Sequence, residues 1–426
     1  MQQIEKFFSE AVQTRRALHR RPEEGWAEFE TTALVAQRLR EYGFAVRLGR
    51  EAIDPASVMG RSEAIVAASL ERAREAGVQA ALLDEMQGYT GAVADWDTGR
   101  EGPLTAFRFD MDCVCNQESS ESTHAPAAGG YASVFEGRMH SCGHDAHTAV
   151  GLALAHWIAE NSEDLCGRFR LIFQPAEEGT RGAAAMAAAG VVDDVDWLFG
   201  SHIGVYAKLG EVGVCRSGFL ATTKFDVAFT GKPSHAGADP QKGRSALLAA
   251  CAAVMMMQGI ARHGEGDTRI AVGTLHAGEG RNVTPSHARI ELEVRGATHE
   301  VNAYMAENVE RMVKAAAAAY DVGYDIQKAG EATTLLVDAC ASDLVADCAR
   351  ELGVTVSEYE KVSGSEDCTI LLRRAAEHGA KTAFFMYGCN HNGHHRADFD
   401  IQDEQSLPTA LRLMSAIVRH INSIAQ

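Results

Sequence analysis

Short apolar segments of strand type alternate with helix-like segments along the first half of the chain. Residues 104–109, 167–173 and 197–202 have the composition of buried strands, and helical patterns at residues 148–160 and 183–189 separate them. Parallel strands need a crossover connection, which is usually a helix. The alternation therefore predicts an α/β fold with a mostly parallel sheet.

The pattern changes between residues 218 and 330 and returns to the α/β type after them. In this stretch the predicted order is strand, helix, strand, strand, helix and strand, and residues 223–230 alternate in polarity as a half-buried strand does. That order suits a small antiparallel sheet with helices on one face. We therefore predict a larger α/β domain formed by residues 1–217 and 331–426, with residues 218–330 as an inserted, ferredoxin-like α+β domain.

Charge and cysteine usage limit the partners and the environment of the chain. The formal net charge of −18 at pH 7 argues against nucleic acid and anionic membranes as partners. The N-terminal sequence lacks an apolar core followed by a cleavage site, and no apolar run reaches the roughly 20 residues that span a bilayer. The ten cysteines show no disulfide framework, so we expect free thiols and a cytoplasmic protein.

Side chains suited to metal binding or acid–base chemistry follow several of the predicted strands. They are Asp110 and Asp112, Glu177 and Glu178, His202, and the histidines of residues 390–395. A further group at residues 139–147 (MHSCGHDAH) holds three histidines, one cysteine and one aspartate before an apolar helix. Because ligands collect beyond the carboxyl ends of the strands in open α/β sheets, we expect these groups to lie close together.

Each group also has an ordinary explanation. Adjacent glutamates are usually a solvated pair, and a lone histidine at a strand end is usually structural. Residues 139–147 could form a polar loop with a capping aspartate, or a closed structural metal site. A metal hydrolase accounts for all the groups together, because it needs one carboxylate to hold the ion and a second to take a proton from water. On this hypothesis Glu178 is a ligand and Glu177 faces the water.

Six motifs carry a resemblance to a known family. They are LHRRPEEGWAEFETT at residues 18–32, DMD at 110–112, MHSCGHDAHT at 139–148, FQPAEEG at 173–179 and, within the insertion, GKPSHAGADP at 231–240 and NVTPS at 282–286. Together they resemble the amidohydrolase branch of the aminoacylase/carboxypeptidase-type metallopeptidases over nearly the whole chain. The resemblance implies a metal-dependent enzyme that cleaves the amide bond of an N-acyl or N-aroyl amino acid. It also implies a homodimer formed through the inserted domain.

The segment between residues 112 and 142 is most similar to the branch of this family that hydrolyses p-aminobenzoyl-glutamate. This likeness implies p-aminobenzoate and glutamate as products, and it leaves open a hetero-oligomer with a homologous second subunit. An N-acetyl-amino-acid deacetylase or a hippurate-type hydrolase is the alternative, because the residues of the acyl pocket lie outside the motifs. A non-catalytic subunit of the same fold is the alternative of a different class.

The resemblance further implies a site for two divalent ions, Mn²⁺ or Zn²⁺. Cys142 matches a bridging thiolate, and the remaining ligands match His144, Glu178, His202 and His395.

The choice of the last ligand leaves an alternative open, because this chain has two adjacent histidines before Phe399. His395 fits the family spacing and His394 is the second choice. Glu177 matches the general base. Asp145 and His147 are expected to support the loop and the start of the helix rather than bind metal.

The insertion supplies the remaining candidates. His235 matches a histidine that reaches the partner subunit's active site, where it stabilises the developing oxyanion. Asn282 and Arg295 match contacts to the substrate carboxylate, and their alternatives are a turn residue and an exposed strand charge. The chain departs from the family at Cys113 and Cys115, which we expect to be small buried groups, with an oxidation-sensitive site as the alternative.

Overall fold

The computed structural model describes residues 4–424, which form two compact units. The larger unit contains the described residues up to 218, residues 335–362 and those from 367 onward, and the smaller unit contains residues 219–334 and 363–366. The sequence predicts the corresponding boundaries at residues 217/218 and 330/331. Within residues 4–424, no helix combines the length and the apolar character needed to cross a membrane.

The helices and strands of the described residues are numbered in chain order. The α-helices are α1 (Glu5–Arg20), α2 (Phe29–Glu41), α3 (Glu63–Glu75), α4 (Ala80–Glu85), α5 (Ala125–Gly129), α6 (His144–Asn161), α7 (Ala183–Ala188), α8 (Ala246–Gln258), α9 (His299–Tyr320), α10 (Ala339–Glu351), α11 (Cys368–Glu377) and α12 (Asp403–Asn422). The strands are β1 (Ala45–Arg47), β2 (Ala92–Asp97), β3 (Leu104–Asp110), β4 (Arg168–Gln174), β5 (Trp197–Ile203), β6 (Glu211–Cys215), β7 (Ala221–Thr230), β8 (Thr268–Ala277), β9 (His287–Gly296), β10 (Gly323–Ala332), β11 (Thr355–Tyr359) and β12 (Lys381–Tyr387).

The larger unit is built on one sheet with the strand order β1-β2-β4-β3-β5-β12-β6-β11. The four central strands β4, β3, β5 and β12 are mutually parallel, and β6 is parallel to β11. The pairings β1–β2, β2–β4 and β12–β6 are antiparallel. The prediction of an α/β fold with a mostly parallel sheet is therefore confirmed. The carboxyl ends of the four central strands lie along one edge of this sheet.

Strand β3 is buried along its whole length although it carries two charged residues. The Arg108 guanidinium donates hydrogen bonds to Asp110 (2.5 Å), Gln174 (2.8 Å) and Asp367 (3.1 Å). Buried charges are tolerated when they are paired in this way. The ion pairs fix the end of β3, which leads directly to Asp112.

Helix α6 begins at His144, four residues before the helical pattern predicted from the sequence. Gly143 precedes it with a φ of 92°, in the left-handed region. A Cβ atom at this position would lie 2.5 Å from Cγ2 of Ile203, so only glycine fits the turn. The early start places His144 and His147 on the first turn of a buried helix.

The smaller unit contains a four-stranded sheet with the order β10-β7-β9-β8, in which every pairing is antiparallel. Helices α8 and α9 pack against this sheet, and the apolar residues between them form a single core. In the chain order of its own strands the sheet reads fourth, first, third, second, which is the arrangement of a ferredoxin-like α+β fold.

Candidate metal centre

The strand ends of the larger unit bring together the ligand types expected from the sequence. Ligand atoms of Cys142, His144 and His202 lie within 4.8 Å of one another, and so do those of Cys142, Glu178 and His395. Cys142 belongs to both triads. A third group, within the same distance, joins Glu177 to His144 and Glu178. His202 lies at the end of β5, the two glutamates follow β4, His395 lies in the loop after β12, and Cys142 and His144 stand at the start of α6.

Hydrogen bonds fix the orientation of the two buried imidazoles. Nδ1 of His144 donates to the backbone oxygen of Asp112 (2.9 Å), and Nδ1 of His202 donates to the backbone oxygen of Ile203 (2.8 Å). Both rings therefore carry their proton on Nδ1 and turn Nε2 towards the cluster. Nε2 of His202 lies 3.6 Å from Sγ of Cys142. Nε2 of His144 is buried and has no hydrogen-bond partner among residues 4–424.

Two buried carboxyl groups hold the backbone that carries the paired glutamates. Asp112 accepts the N–H of Glu177 at Oδ1 (3.0 Å) and the N–H of Glu178 at Oδ2 (2.9 Å). Glu28 accepts the N–H of Ala176 (2.8 Å), a residue with a φ of 52°. Burial, together with the charge of Asp112, raises the pKa of Glu28 to about 8. No local sequence signal distinguishes Glu28 from the neighbouring glutamates, because the partners that define its role are distant in the chain.

The structure distinguishes the two adjacent histidines. Nε2 of His395 lies 3.2 Å from Oε1 of Glu178. Nε2 of His394 instead accepts the backbone N–H of Val205 (3.1 Å), which occupies its lone pair. Of the two, only His395 directs an imidazole nitrogen at the Glu178 carboxylate.

His147 and Asp145 are engaged away from the two triads. Nδ1 of His147 binds the carboxylate of Asp110, and Nε2 accepts the backbone N–H of Ile203 (2.9 Å), so neither ring nitrogen has a lone pair left for an ion. Asp145 accepts hydrogen bonds from Arg15 Nε (2.8 Å) and His19 Nδ1 (2.8 Å). Both side chains tie the start of α6 to its surroundings.

Electrostatics in the cluster favour a cation. Burial, followed by the charge of Glu178, raises the pKa of the Cys142 thiol well above its ordinary value. A thiolate at this position therefore requires a nearby positive charge. Burial and the neighbouring His147 lower the pKa of His202, which keeps its imidazole neutral as metal coordination requires.

The three candidates of the insertion lie in the smaller unit. The segments of His235 and Asn282 are adjacent, because the backbone oxygen of Asn282 accepts the N–H of Ala236 (3.0 Å). Both side chains are exposed. Nδ1 of His235 accepts the backbone N–H groups of Gly237 and Ala238, so its proton resides on Nε2 in the neutral ring.

Arg295, the third of them, is half-buried on β9. Its Nε and Nη2 atoms donate to the two carboxylate oxygens of Glu293, at 2.9 and 3.1 Å. The guanidinium is thus already paired within the smaller unit.

The two cysteines after the DMD motif differ in exposure. Cys113 is buried, as expected, but Cys115 is exposed, so the expectation of a small buried group is wrong for Cys115. Burial, with the charge of Asp112 as the next cause, raises the pKa of the Cys113 thiol, so it behaves as a small apolar group.

The fold and the cluster define a class of hydrolase, and comparison with known proteins identifies its family. Residues 106–420 match the profile of peptidase family M20/M25/M40, and the chain belongs to this family. The expectation drawn from the motifs is confirmed, and the protein is a hydrolase of the peptidase class.

Several relatives match nearly the whole chain. It is 44% identical to a Haemophilus influenzae homolog of one subunit of p-aminobenzoyl-glutamate hydrolase, over 98% of this chain and 99% of that protein. It is 42% identical to an indole-3-acetyl-aspartic acid hydrolase of Enterobacter agglomerans, over 97% and 96% of the two chains. The crystal structure of an aminobenzoyl-glutamate utilization protein from Klebsiella pneumoniae superposes with a TM-score of 0.85 at 36% identity, covering 98% and 97% of the chains.

Proposed function

We propose that the protein is a dinuclear metal-dependent amidohydrolase that cleaves p-aminobenzoyl-glutamate to p-aminobenzoate and glutamate. The observation that carries the proposal is the position of Cys142, which belongs to two ligand triads beside Glu177. The relatives named for p-aminobenzoyl-glutamate support the choice of substrate. An N-acyl aspartate is the second candidate, because a relative of similar identity is named for indole-3-acetyl-aspartate.

The residues of the cluster fit two divalent ions. Cys142, His144 and His202 would hold one, and Cys142, Glu178 and His395 would hold the other. The buried Nε2 of His144, which has no hydrogen-bond partner among residues 4–424, is the atom that such an ion would satisfy. Thiolate, imidazole and carboxylate together suit Zn²⁺ or Mn²⁺. When bound, the ions supply Lewis-acid polarisation of the scissile carbonyl and lower the pKa of water.

Glu177 is the proposed general base. One of its carboxylate oxygens lies 3.9 Å from Nε2 of His144, and Asp112 fixes its backbone. Glu177 would take a proton from the attacking water and return it to the nitrogen of the leaving amine, as general acid–base catalysis requires. A water molecule added across the amide bond then yields a carboxylic acid and an amine.

The smaller unit would contribute to substrate binding and the transition state. The Nε2–H of His235 is an exposed donor suited to a developing oxyanion in the partner subunit. Asn282, whose segment adjoins that of His235, and Arg295 would contact the substrate carboxylate. For Arg295 this contact requires sharing or exchanging its pairing with Glu293.

We also propose a homodimer formed through the smaller unit. Helix α8 exposes an apolar stripe that includes Leu248 (52% exposed), Cys251 and Met255 (73% exposed). Exposed apolar side chains at this spacing support contact with a second copy. One relative is named as a homolog of a single hydrolase subunit, so a homologous partner chain is the alternative.

We propose a cytoplasmic location as well, which the ten free cysteines support.

Assays with purified protein test the activity. Metal-loaded enzyme would be supplied with p-aminobenzoyl-glutamate, indole-3-acetyl-aspartate, hippurate and N-acetyl amino acids, and elemental analysis would identify the ions. We expect Glu177→Gln to retain both ions and to lose hydrolysis by about 10²- to 10⁴-fold. Glu75→Gln, at an exposed helix position, is the matched control and should behave as the wild type.

Two results would contradict the proposal. Wild-type protein that holds both ions and cleaves none of these amides would be a non-catalytic subunit. Normal turnover by Glu177→Gln would show that Glu177 is not the general base.

Light scattering tests the proposed dimer. Met255→Glu should be a monomer where the wild type is a dimer, and an unchanged mass would exclude α8 as the interface.

A further inference from the structure

The segment of residues 116–137 takes no part in the proposed chemistry, yet it contacts the backbone beside one candidate ligand. Nδ2 of Asn116 donates a hydrogen bond to the backbone oxygen of His395 (3.0 Å). The N–H of Ser119 donates to the backbone oxygen of Ala397 (2.8 Å). These bonds attach the 116–137 segment to the loop that carries His395.

His395 needs such support because of its own conformation. Its φ is 62°, in the left-handed region, which is unfavourable for a residue other than glycine. Strained backbone of this kind persists only when the surrounding structure determines it. The His395 side chain is 52% exposed, so packing around the ring supplies little restraint.

Two hydrogen bonds to the backbone of His395 supply this support, one to its N–H and one to its carbonyl. Its N–H donates to the backbone oxygen of Ser141 (2.8 Å), the residue before Cys142. Its carbonyl accepts the Asn116 amide on the other side. Together the two bonds orient the peptide planes on either side of His395 and direct Nε2 towards Glu178.

Buried hydrogen bonds hold the chain next to Asn116 in place. Glu118, two residues further on, is buried and accepts hydrogen bonds from Nε2 of His19 (2.9 Å) and Nε2 of His124 (2.8 Å). It also accepts the backbone N–H of Ser133 (2.5 Å). Because the carboxylate joins three parts of the chain, the start of the 116–137 segment is held in place.

We propose that Asn116 is a positioning residue that acts through His395. Its amide holds His395 in the left-handed conformation that directs Nε2 at Glu178, and it thereby sets the affinity for the ion held by Cys142, Glu178 and His395. The inference rests on the proposed function, since it takes His395 as a ligand.

Metal titration of chelator-stripped protein tests the inference. Isothermal titration calorimetry with Mn²⁺ and with Zn²⁺ would resolve the two binding events. Asn116→Ala should weaken one event by about five- to tenfold and leave the other unchanged. Asn116→Asp should weaken the same event at least as much, because a carboxylate cannot donate to a carbonyl. Unaltered affinities in either variant would overturn the inference, and thermal unfolding close to that of the wild type would show that both variants fold.

A matched control lies in the same loop as His395. Nδ2 of Asn392 donates to the side chain of Asp398 (3.1 Å) and not to the backbone of His395. Asn392→Ala should therefore bind both ions as the wild type does. An equal loss of affinity in this variant would show that the loop as a whole, and not Asn116, controls the ion.

A double-mutant cycle separates action through His395 from a general effect. His395→Ala should lose one ion, and adding Asn116→Ala should not weaken the ion that remains. A further loss would overturn the inference. Wild-type protein that binds fewer than two ions would overturn the proposed function and this inference with it. Two ions bound equally well by wild type and Asn116→Ala would overturn this inference alone.

Discussion

Replacement of Asp112 by asparagine tests how the paired glutamates are held. Asp112 is fully buried, and its two carboxylate oxygens each accept one backbone N–H, from Glu177 and from Glu178. An asparagine has one acceptor oxygen and one NH₂ group. In either orientation of the amide, the NH₂ group would face a backbone N–H donor.

The magnitude follows from these contacts. One hydrogen bond to a charged acceptor is lost, and a buried donor is left unpaired, so we expect a loss of about 3 kcal/mol in the free energy of unfolding. The same change releases the backbone of Glu177 and Glu178. We therefore expect activity or metal affinity to fall by about 10- to 100-fold.

Asp338→Asn is the matched control. Asp338 caps α10, and its single oxygen Oδ1 accepts both backbone N–H groups, from Cys340 (2.8 Å) and Ala341 (3.2 Å). An asparagine keeps that oxygen and is an equally good cap, so the change should cost less than about 0.5 kcal/mol.

Urea unfolding followed by circular dichroism, together with kcat/KM, would compare both variants with the wild type. If Asp112→Asn matched Asp338→Asn in stability and retained activity, the two N–H contacts would not be what holds the glutamates.

Three further predictions rest on other contacts. The pKa of Glu28 is raised from 4.5 to about 8, so the native state keeps a proton that the unfolded state releases between these values. As the pH rises from about 5 to 8, the unfolding free energy of the wild type should therefore fall relative to that of Glu28→Gln, by up to about 1.4 kcal/mol per pH unit. Urea unfolding of both proteins over this pH range measures the difference, and parallel pH profiles would refute the prediction. In elemental analysis, His395→Ala should contain one ion fewer than the wild type, whereas His394→Ala should retain two. The reason is that a backbone N–H already occupies Nε2 of His394. The opposite result would make His394 the ligand and His395 the supporting residue. Arg15→Met should destabilise the protein by about 3 kcal/mol, because it removes the buried guanidinium that pairs with Asp145 and leaves His19 as the remaining buried partner of that carboxylate; an unchanged unfolding midpoint would argue against the Arg15–Asp145 ion pair.

Several features of the fold follow from local sequence. The strands that end near residues 110, 174 and 203 are short apolar runs, and each is followed by side chains suited to metal or proton transfer. Their burial pattern is a local property, so it can be read without knowing the rest of the chain. The change of pattern at the insertion is equally local.

Two strands of the larger sheet were not predicted. β6 and β11 are five residues each, which is too short for a clear pattern of polarity, and they are stabilised by pairing with each other. The start of α6 was also misplaced, since the polar residues of its first turn conceal the helical pattern. Burial of that turn against the sheet is what makes it helical.

The sequence by itself determined the chemistry of the site: a cysteine, histidines and paired glutamates at the ends of parallel strands. It could not decide which imidazole nitrogens are available. His147 is occupied by Asp110 and Ile203, and His394 by Val205, whereas Nε2 of His144 is left without a hydrogen-bond partner among residues 4–424. These differences depend on partners distant in the chain, so only the tertiary structure separates supporting histidines from candidate ligands.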